Sequence, residues 1–141
     1  MNGGDFIDSN VFVYLLDPND AVKRRRAEDL INGAMQSGTA SISFQVVQET
    51  LNVLTRKLEA VVSSADARRF LEEVLTPLWR VMPSPGLYER ALDVHARYRY
   101  SFYDSLIIAA ALADGCTRLY SEDLQHGQRI EGLTIENPFA A

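Results

Sequence analysis

Short β-like runs alternate with longer stretches of helical period along the whole chain, and this alternation limits the fold more than any other feature. Asp5-Phe6-Ile7-Asp8 is a short strand that ends on an acid. Thr39 to Ser43 reads as a second strand, Leu78 to Met82 as a third, Thr117 to Ser121 as a fourth, and Leu133 to Ile135 as a fifth at an edge. Helices fill the intervals. Asp20 is a good N-cap for a helix reaching about Gln36, with Gly38 as its stop. Phe44, Val47, Leu51, Leu54 and Leu58 recur at spacings of three and four, which makes one apolar helical stripe. Ser63 or Ser64 caps the next helix, which is expected to stop before Pro77. Pro85 opens another, reaching about Arg99, and Phe102 to Ala113 forms one more, ended by Asp114-Gly115. Strands joined through helices imply right-handed crossovers and a mostly parallel sheet. The expected fold class is therefore α/β: a three-layer α/β/α domain with four to five strands in a mostly parallel central sheet.

At 141 residues the chain fits a single domain, residues 1–141, without internal repeats or low-complexity tracts. A chain of this size buries roughly 70% of its unfolded surface and needs neither disulfide nor structural metal to fold. Its 47% hydrophobic and 23% charged content argues against a disordered chain, a collagen or a disulfide scaffold. The single cysteine, Cys116, completes no intrachain bridge and no zinc set, which suits a reducing cytoplasm. Met1-Asn2-Gly3-Gly4-Asp5 shows no secretory pattern. The longest purely apolar run, Leu106 to Ala113, is eight residues, where a membrane span needs about 20. The formal net charge of -5 is unlike that of a generic nucleic-acid binder. A polyanionic substrate would need a cation, a local basic patch or a partner.

In doubly wound sheets, ligands gather outside the carboxyl ends of the strands, so acids at those ends carry most of the functional information. Asp8 ends the first strand, where it also suits helix capping. Glu49 follows the second strand and shares a polar helix face with Gln45, Asn52 and Arg56, a face that solvent alone would explain. Asp104 opens a very apolar helix, where an acid complements the helix dipole. Glu122 and Asp123 follow the fourth strand, and Ser121 or Asp123 would also cap a short helix. Each acid has a structural use by itself. Together they predict several carboxylates converging on one point. Clustered carboxylates repel and raise one another's pKa, and they coexist at little cost only around a cation. Hard oxygen donors at this density select Mg²⁺ or Mn²⁺. Such an ion polarises a phosphoryl oxygen, activates water and stabilises a leaving alkoxide. No glycine-rich phosphate loop or HExxH is present, and neither His95 nor His126 sits in an obvious triad.

With these acids in hand, the sequence resembles the PIN-domain family, and within it the toxin half of VapBC-type toxin–antitoxin pairs. The anchors are Phe6-Ile7-Asp8-Ser9-Asn10, Gln45-Val46-Val47-Gln48-Glu49, Ser101-Phe102-Tyr103-Asp104-Ser105 and Leu119-Tyr120-Ser121-Glu122-Asp123-Leu124-Gln125-His126-Gly127. The blocks cover nearly the whole chain, and the last is the most specific. The resemblance implies a Mg²⁺- or Mn²⁺-dependent endoribonuclease that hydrolyses RNA phosphodiesters with metal-activated water. It gives Asp8, Glu49 and Asp104 the parts of the three usual acids and Asp123 that of the fourth. Glu122 is a substitute for the fourth, Ser121 the supporting hydroxyl, and Asn10 the residue that orients Asp8. It also implies a homodimer and a cognate antitoxin whose tail blocks the site.

RNA needs positive charge near these acids. Basic residues gather at Lys23-Arg24-Arg25-Arg26, Arg56-Lys57, Arg68-Arg69 and Arg97-Tyr98-Arg99-Tyr100. Such runs are ordinarily solvated helix faces. The last interleaves arginine with tyrosine just before Asp104, so Arg99 and Tyr100 are candidates for holding phosphate and stacking a base. Val11, Phe12, Tyr14, Leu15 and Leu16 form an apolar stripe available to the core or to an interface. A basic antitoxin tail would suit an acidic groove. Other chemistries fit less well. A phosphoacceptor receiver domain should carry a paired acid after strand one and a late lysine, and Thr117 to Leu124 has none. A haloacid-dehalogenase-type phosphatase needs Asp-x-Asp, where Asn10 takes the second place. The alternative from another class is a non-catalytic PIN-like RNA-binding module.

Overall fold

In the computed structural model, which describes residues 3–140, the chain runs β1 (Asp5–Ile7), α1 (Ser9–Leu16), α2 (Ala21–Ser37), β2 (Ala40–Ser43), α3 (Phe44–Arg56) and α4 (Ser64–Phe70). It continues through a π-helical turn (Leu71–Leu75) into the single turn α5 (Thr76–Leu78), then β3 (Trp79–Val81), α6 (Pro85–Tyr98) and α7 (Phe102–Ala113). β4 (Arg118–Tyr120), β5 (Arg129–Ile130) and β6 (Leu133–Glu136) complete it. Met1 and Asn2, the start of the segment read for a secretory pattern, lie outside the described residues, as does Ala141.

Side-chain caps set the helix starts. The Asp20 carboxylate accepts the Lys23 N–H at 3.1 Å, and Ser84 accepts that of Leu87 at 3.1 Å behind Pro85. Ser63 and Asp66 exchange reciprocal bonds of 3.1 and 3.2 Å, a capping box. Gly38 closes α2 at φ 68°, a left-handed value open to a residue without Cβ.

The sheet order is β3-β2-β1-β4-β6-β5, parallel throughout except for the antiparallel β5–β6 pair. The α/β class and the mostly parallel sheet agree with the sequence expectation. The sheet has six strands rather than four to five. The segment at 133–135 is not the edge, because Arg129–Ile130 pairs outside it. The helix expected to stop before Pro77 continues through it to Leu78. There the Thr76 N–H reaches back to the Leu71 carbonyl, the wider π spacing, just ahead of a residue with no N–H to offer.

The chain steps outward through β1, β2 and β3, then returns past β1 to β4 and β6. Right-handed crossovers place the two sets of connecting helices on opposite faces of the sheet. The core fills between, with Phe6, Ile7, Ile42, Leu119 and Ile135 from the strands, and Phe12, Leu54, Ile107 and Ile108 from the helices, all fully buried. Each such side chain contributes about 1.5–3 kcal/mol by leaving water. Strand order reverses between β1 and β4, and a crevice is expected outside the carboxyl ends of these two strands.

Candidate active site

Asp8 and the segment Ser121–Asp123 occupy that crevice because each directly follows a strand. The Asp8 N–H donates to the Tyr120 carbonyl at 2.9 Å, which extends the β1–β4 ladder by one bond. Backbone direction then changes, and Asp8 becomes the N-cap of α1, accepting the Ser9 N–H at 2.7 Å. Asp8 therefore fills the capping role and stands in the crevice as well. Only 4% of it is exposed.

Short neutral side chains stand between the carboxylates. The Ser9 hydroxyl donates to Glu49 Oε1 at 3.0 Å and lies 3.4 Å from Asp8 Oδ1. The Asn10 amide donates to Asp123 Oδ2 at 3.1 Å and reaches Asp8 Oδ2 at 3.5 Å. The Ser121 hydroxyl donates to Asp8 Oδ2 at 2.8 Å and accepts the Asp123 N–H at 3.2 Å. The Asn10 side-chain oxygen Oδ1 accepts the Glu122 N–H at 3.2 Å, which fixes the turn after β4. Asp8, Glu49 and Asp123 are thus joined through shared donors. Asp104, half-buried in the first turn of α7, makes no hydrogen bond to the other acids among the described residues; its link to them is the charge of Asp123.

The electrostatics follow from this packing. Burial pushes the Asp8 carboxyl up to about 7, and the charges of Glu49 and Asp123 add to the rise. Hydrogen bonds from Ser121 and Ser9 act in the opposite direction. Asp104 is raised by partial burial and by Asp123, against a hydrogen bond with Ser101. A carboxyl held out of its ordinary range by burial, with neighbouring anions adding to the rise, is a group whose charged form a cation would restore. The donor set, all carboxylate oxygen with hydroxyl and amide support, fits a hard divalent ion such as Mg²⁺ or Mn²⁺. Among the described residues, no three His, Cys, Asp or Glu side chains are drawn together closely enough to hold an ion by themselves.

The remaining candidates fall elsewhere. Glu122 turns away from the acids: the Tyr14 hydroxyl donates to its Oε1 at 2.7 Å, and Lys23 pairs with its Oε2. Lys23 also lies 5.0 Å from the centre of the Tyr14 ring. Arg99 caps α6 in a left-handed conformation at φ 67° and is exposed. The Tyr100 hydroxyl bonds to Gln128 and accepts the Gln125 N–H at 3.3 Å, tying its ring to the 125–128 turn. Gln45 corrects the view of a solvated face on α3. It is buried, and its amide donates to Glu49 Oε2 at 3.1 Å and to the Tyr103 carbonyl at 3.0 Å. The start of α7 covers it, an effect no local pattern encodes.

From sequence, none of Ser9, Gln45, Tyr14 and Lys23 was placed among the residues that support the acids. Ser9 stands in the Asp8-Ser9-Asn10 block, and Gln45 precedes Glu49 by four residues, the helical neighbour spacing. Those were available signals. Tyr14 and Lys23 reach Glu122 across about a hundred residues and left no local trace.

The profile of the PIN domain family matches residues 6–129. No curated protein matches the chain. Among solved structures it is similar to VapC20 of Mycobacterium tuberculosis, described as a sarcin–ricin-loop cleaving toxin, with a TM-score of 0.66 and 24% identity, over 85% of this chain and 90% of that chain. A toxin–antitoxin complex from Klebsiella pneumoniae gives a TM-score of 0.70 at 16% identity, over 98% of this chain and 100% of that chain. VapBC2 of Rickettsia felis, bound to a DNA fragment from its promoter, gives 0.67 at 17% identity, over 94% and 97% of the two chains. At these identities the likeness is one of fold. No described helix is long and apolar enough to cross a membrane. With the family profile running from β1 to β5, the chain belongs to the PIN domain family.

Proposed function

We propose that the chain is a Mg²⁺- or Mn²⁺-dependent endoribonuclease, the toxin half of a toxin–antitoxin pair. The observation that carries this reading is the buried Asp8 carboxyl, raised to about 7 and joined through Ser9, Asn10 and Ser121 to Glu49 and Asp123. Membership of the PIN family and the description of one structural neighbour as a sarcin–ricin-loop cleaving toxin support RNA as the substrate.

Asp8, Glu49, Asp104 and Asp123 would hold the ion. When bound, it supplies positive charge that polarises a phosphate oxygen and lowers the pKa of water. Ser9 and Gln45 fix the two oxygens of Glu49, while Asn10 and Ser121 fix Asp8 and Asp123. These bonds hold Asp8, Glu49 and Asp123 in fixed orientations, and a bound ion would draw them and Asp104 closer together. Without the ion, the same carboxylates repel the RNA backbone. The reading also includes a cytoplasmic homodimer and an antitoxin with a basic tail, complementary to this acidic crevice.

Cleavage of total cellular RNA by the purified chain tests it, in Mg²⁺ or Mn²⁺ against chelator, with Asp8→Asn and Asp104→Asn prepared identically. Discrete metal-dependent fragments are expected from the wild type, and at least a hundredfold less from either variant, about 3 kcal/mol of lost transition-state stabilisation. RNA binding without cleavage in any metal would instead support a non-catalytic PIN-like module.

A further inference from the structure

A cleft of about 340 Å³ opens beside the acids, between α1 and the C-terminal end of α3. Asn10 and Asp123 are on its lining and so belong both to the cleft and to the acid group. Val13, Tyr14, Val53 and Leu58 supply apolar wall. Lys57, exposed at the C-cap of α3, stands on the lining and has no carboxylate within 4.0 Å among the described residues. Asp17 is also on the lining, with its Oδ1 accepting the Asn19 N–H at 3.0 Å.

Resting on the ribonuclease reading above, we infer that this cleft receives one nucleotide of the substrate RNA next to the bond that is cut, with Lys57 holding its phosphate. The volume lies at the low end of small-ligand clefts, suited to one flat base and its sugar. The lining divides as a nucleotide does. Aliphatic side chains and the Tyr14 ring offer surface to a base, as single-strand sites do without regard to sequence. Lys57 offers the charge that the phosphate requires, in a chain whose net charge is -5. Asp17, an acceptor on the same lining, repels phosphate and can accept from base N–H donors. Continuity with Asn10 and Asp123 makes the register: a strand whose phosphate sits at the acids has its neighbouring nucleotide at this opening.

Binding of a labelled, single-stranded oligoribonucleotide of mixed sequence tests the inference. It is measured in Mg²⁺ on an Asp104→Asn background, so that binding is seen without cleavage. Lys57→Ala should weaken binding about tenfold and lower the slope of log affinity against log salt by about 0.7. Lys57→Arg should restore both. Val53→Trp, which fills the cleft, should weaken binding about tenfold with the salt slope unchanged. Unchanged affinity in Lys57→Ala and Val53→Trp, in a background that binds RNA, would overturn the inference alone. Unchanged RNA affinity with weakened binding of a basic peptide would overturn it in favour of a protein occupant. Failure of both the background chain and the wild type in Mg²⁺ to bind or cleave RNA would overturn both this inference and the reading beneath it. Lys57 is exposed, so its substitution reports even if Val53→Trp fails to fold.

Discussion

Asp8 carries two demands that oppose each other. As the N-cap of α1 and the acceptor of the Ser121 hydroxyl it belongs to the fold, yet its burial beside Glu49 and Asp123 penalises its charge. The rise from 3.8 to about 7 corresponds to a cost on the order of 4 kcal/mol once the group is ionised without a cation. The folded state holds the proton more tightly than the unfolded chain does. Its stabilising effect is therefore complete below pH 3.8 and is lost as pH rises through about 7. Asp104, also raised, acts in the same direction. In chelator, thermal unfolding between pH 5 and 8 should show stability falling with pH. Asp8→Asn should flatten that slope and be more stable than wild type at pH 8, by about 1–3 kcal/mol. An identical pH dependence in the variant would remove Asp8 as its source. At this scale the sequence was informative where an acid closely follows a strand, as at Asp8 and Asp123. It was uninformative for Gln45, whose burial depends on the start of α7 packing over it.

Among the elements, α1 and α2 hold the turn after β4 through Tyr14, Lys23 and Glu122. With both Glu122 oxygens taken by this contact, the neighbouring carboxylates Glu122 and Asp123 have separate work. Glu122→Gln should keep metal-dependent RNA cleavage within about threefold of wild type, while Asp123→Asn should lower it at least tenfold. The reverse ranking in a cleavage assay would exchange the two assignments. The end of α6 makes a different prediction. Arg99 sits at φ 67°, where a Cβ crowds the backbone, so Arg99→Gly should raise stability by about 1 kcal/mol in denaturant unfolding. Lower stability in Arg99→Gly would show that the side chain contributes more than its strained backbone costs. Caps and periods made most helices legible: Asp20 and Gly38 bound α2, and Phe102–Ala113 coincides with α7. Less legible was the two-residue strand Arg129–Ile130, too short to show a period, and it displaced Leu133–Glu136 from the edge. Pro77 signalled a stop, but the π turn ahead of it let the helix continue to Leu78.

For the whole molecule, the decisive feature is where the topology reverses. β1 and β4 lie side by side although 110 residues separate their ends, and that pairing brings Asp8 to Ser121 and Asp123. Alternation of strand and helix made the parallel sheet legible, and parallel sheets put chemistry at carboxyl ends. The distances between the acids, and the neutral donors standing between them, required the folded chain. We propose that this arrangement is a divalent-cation site whose charge balance is set by Asp8. Direct binding of Mn²⁺, followed by electron paramagnetic resonance or calorimetry, tests it at pH 8 and pH 5.5. Wild type should bind at pH 8 and at least tenfold more weakly at pH 5.5, where protons occupy Asp8. Asp8→Asn should bind weakly at both. Equal Mn²⁺ affinity in wild type and Asp8→Asn, or no binding by the wild type at pH 8, would contradict the account.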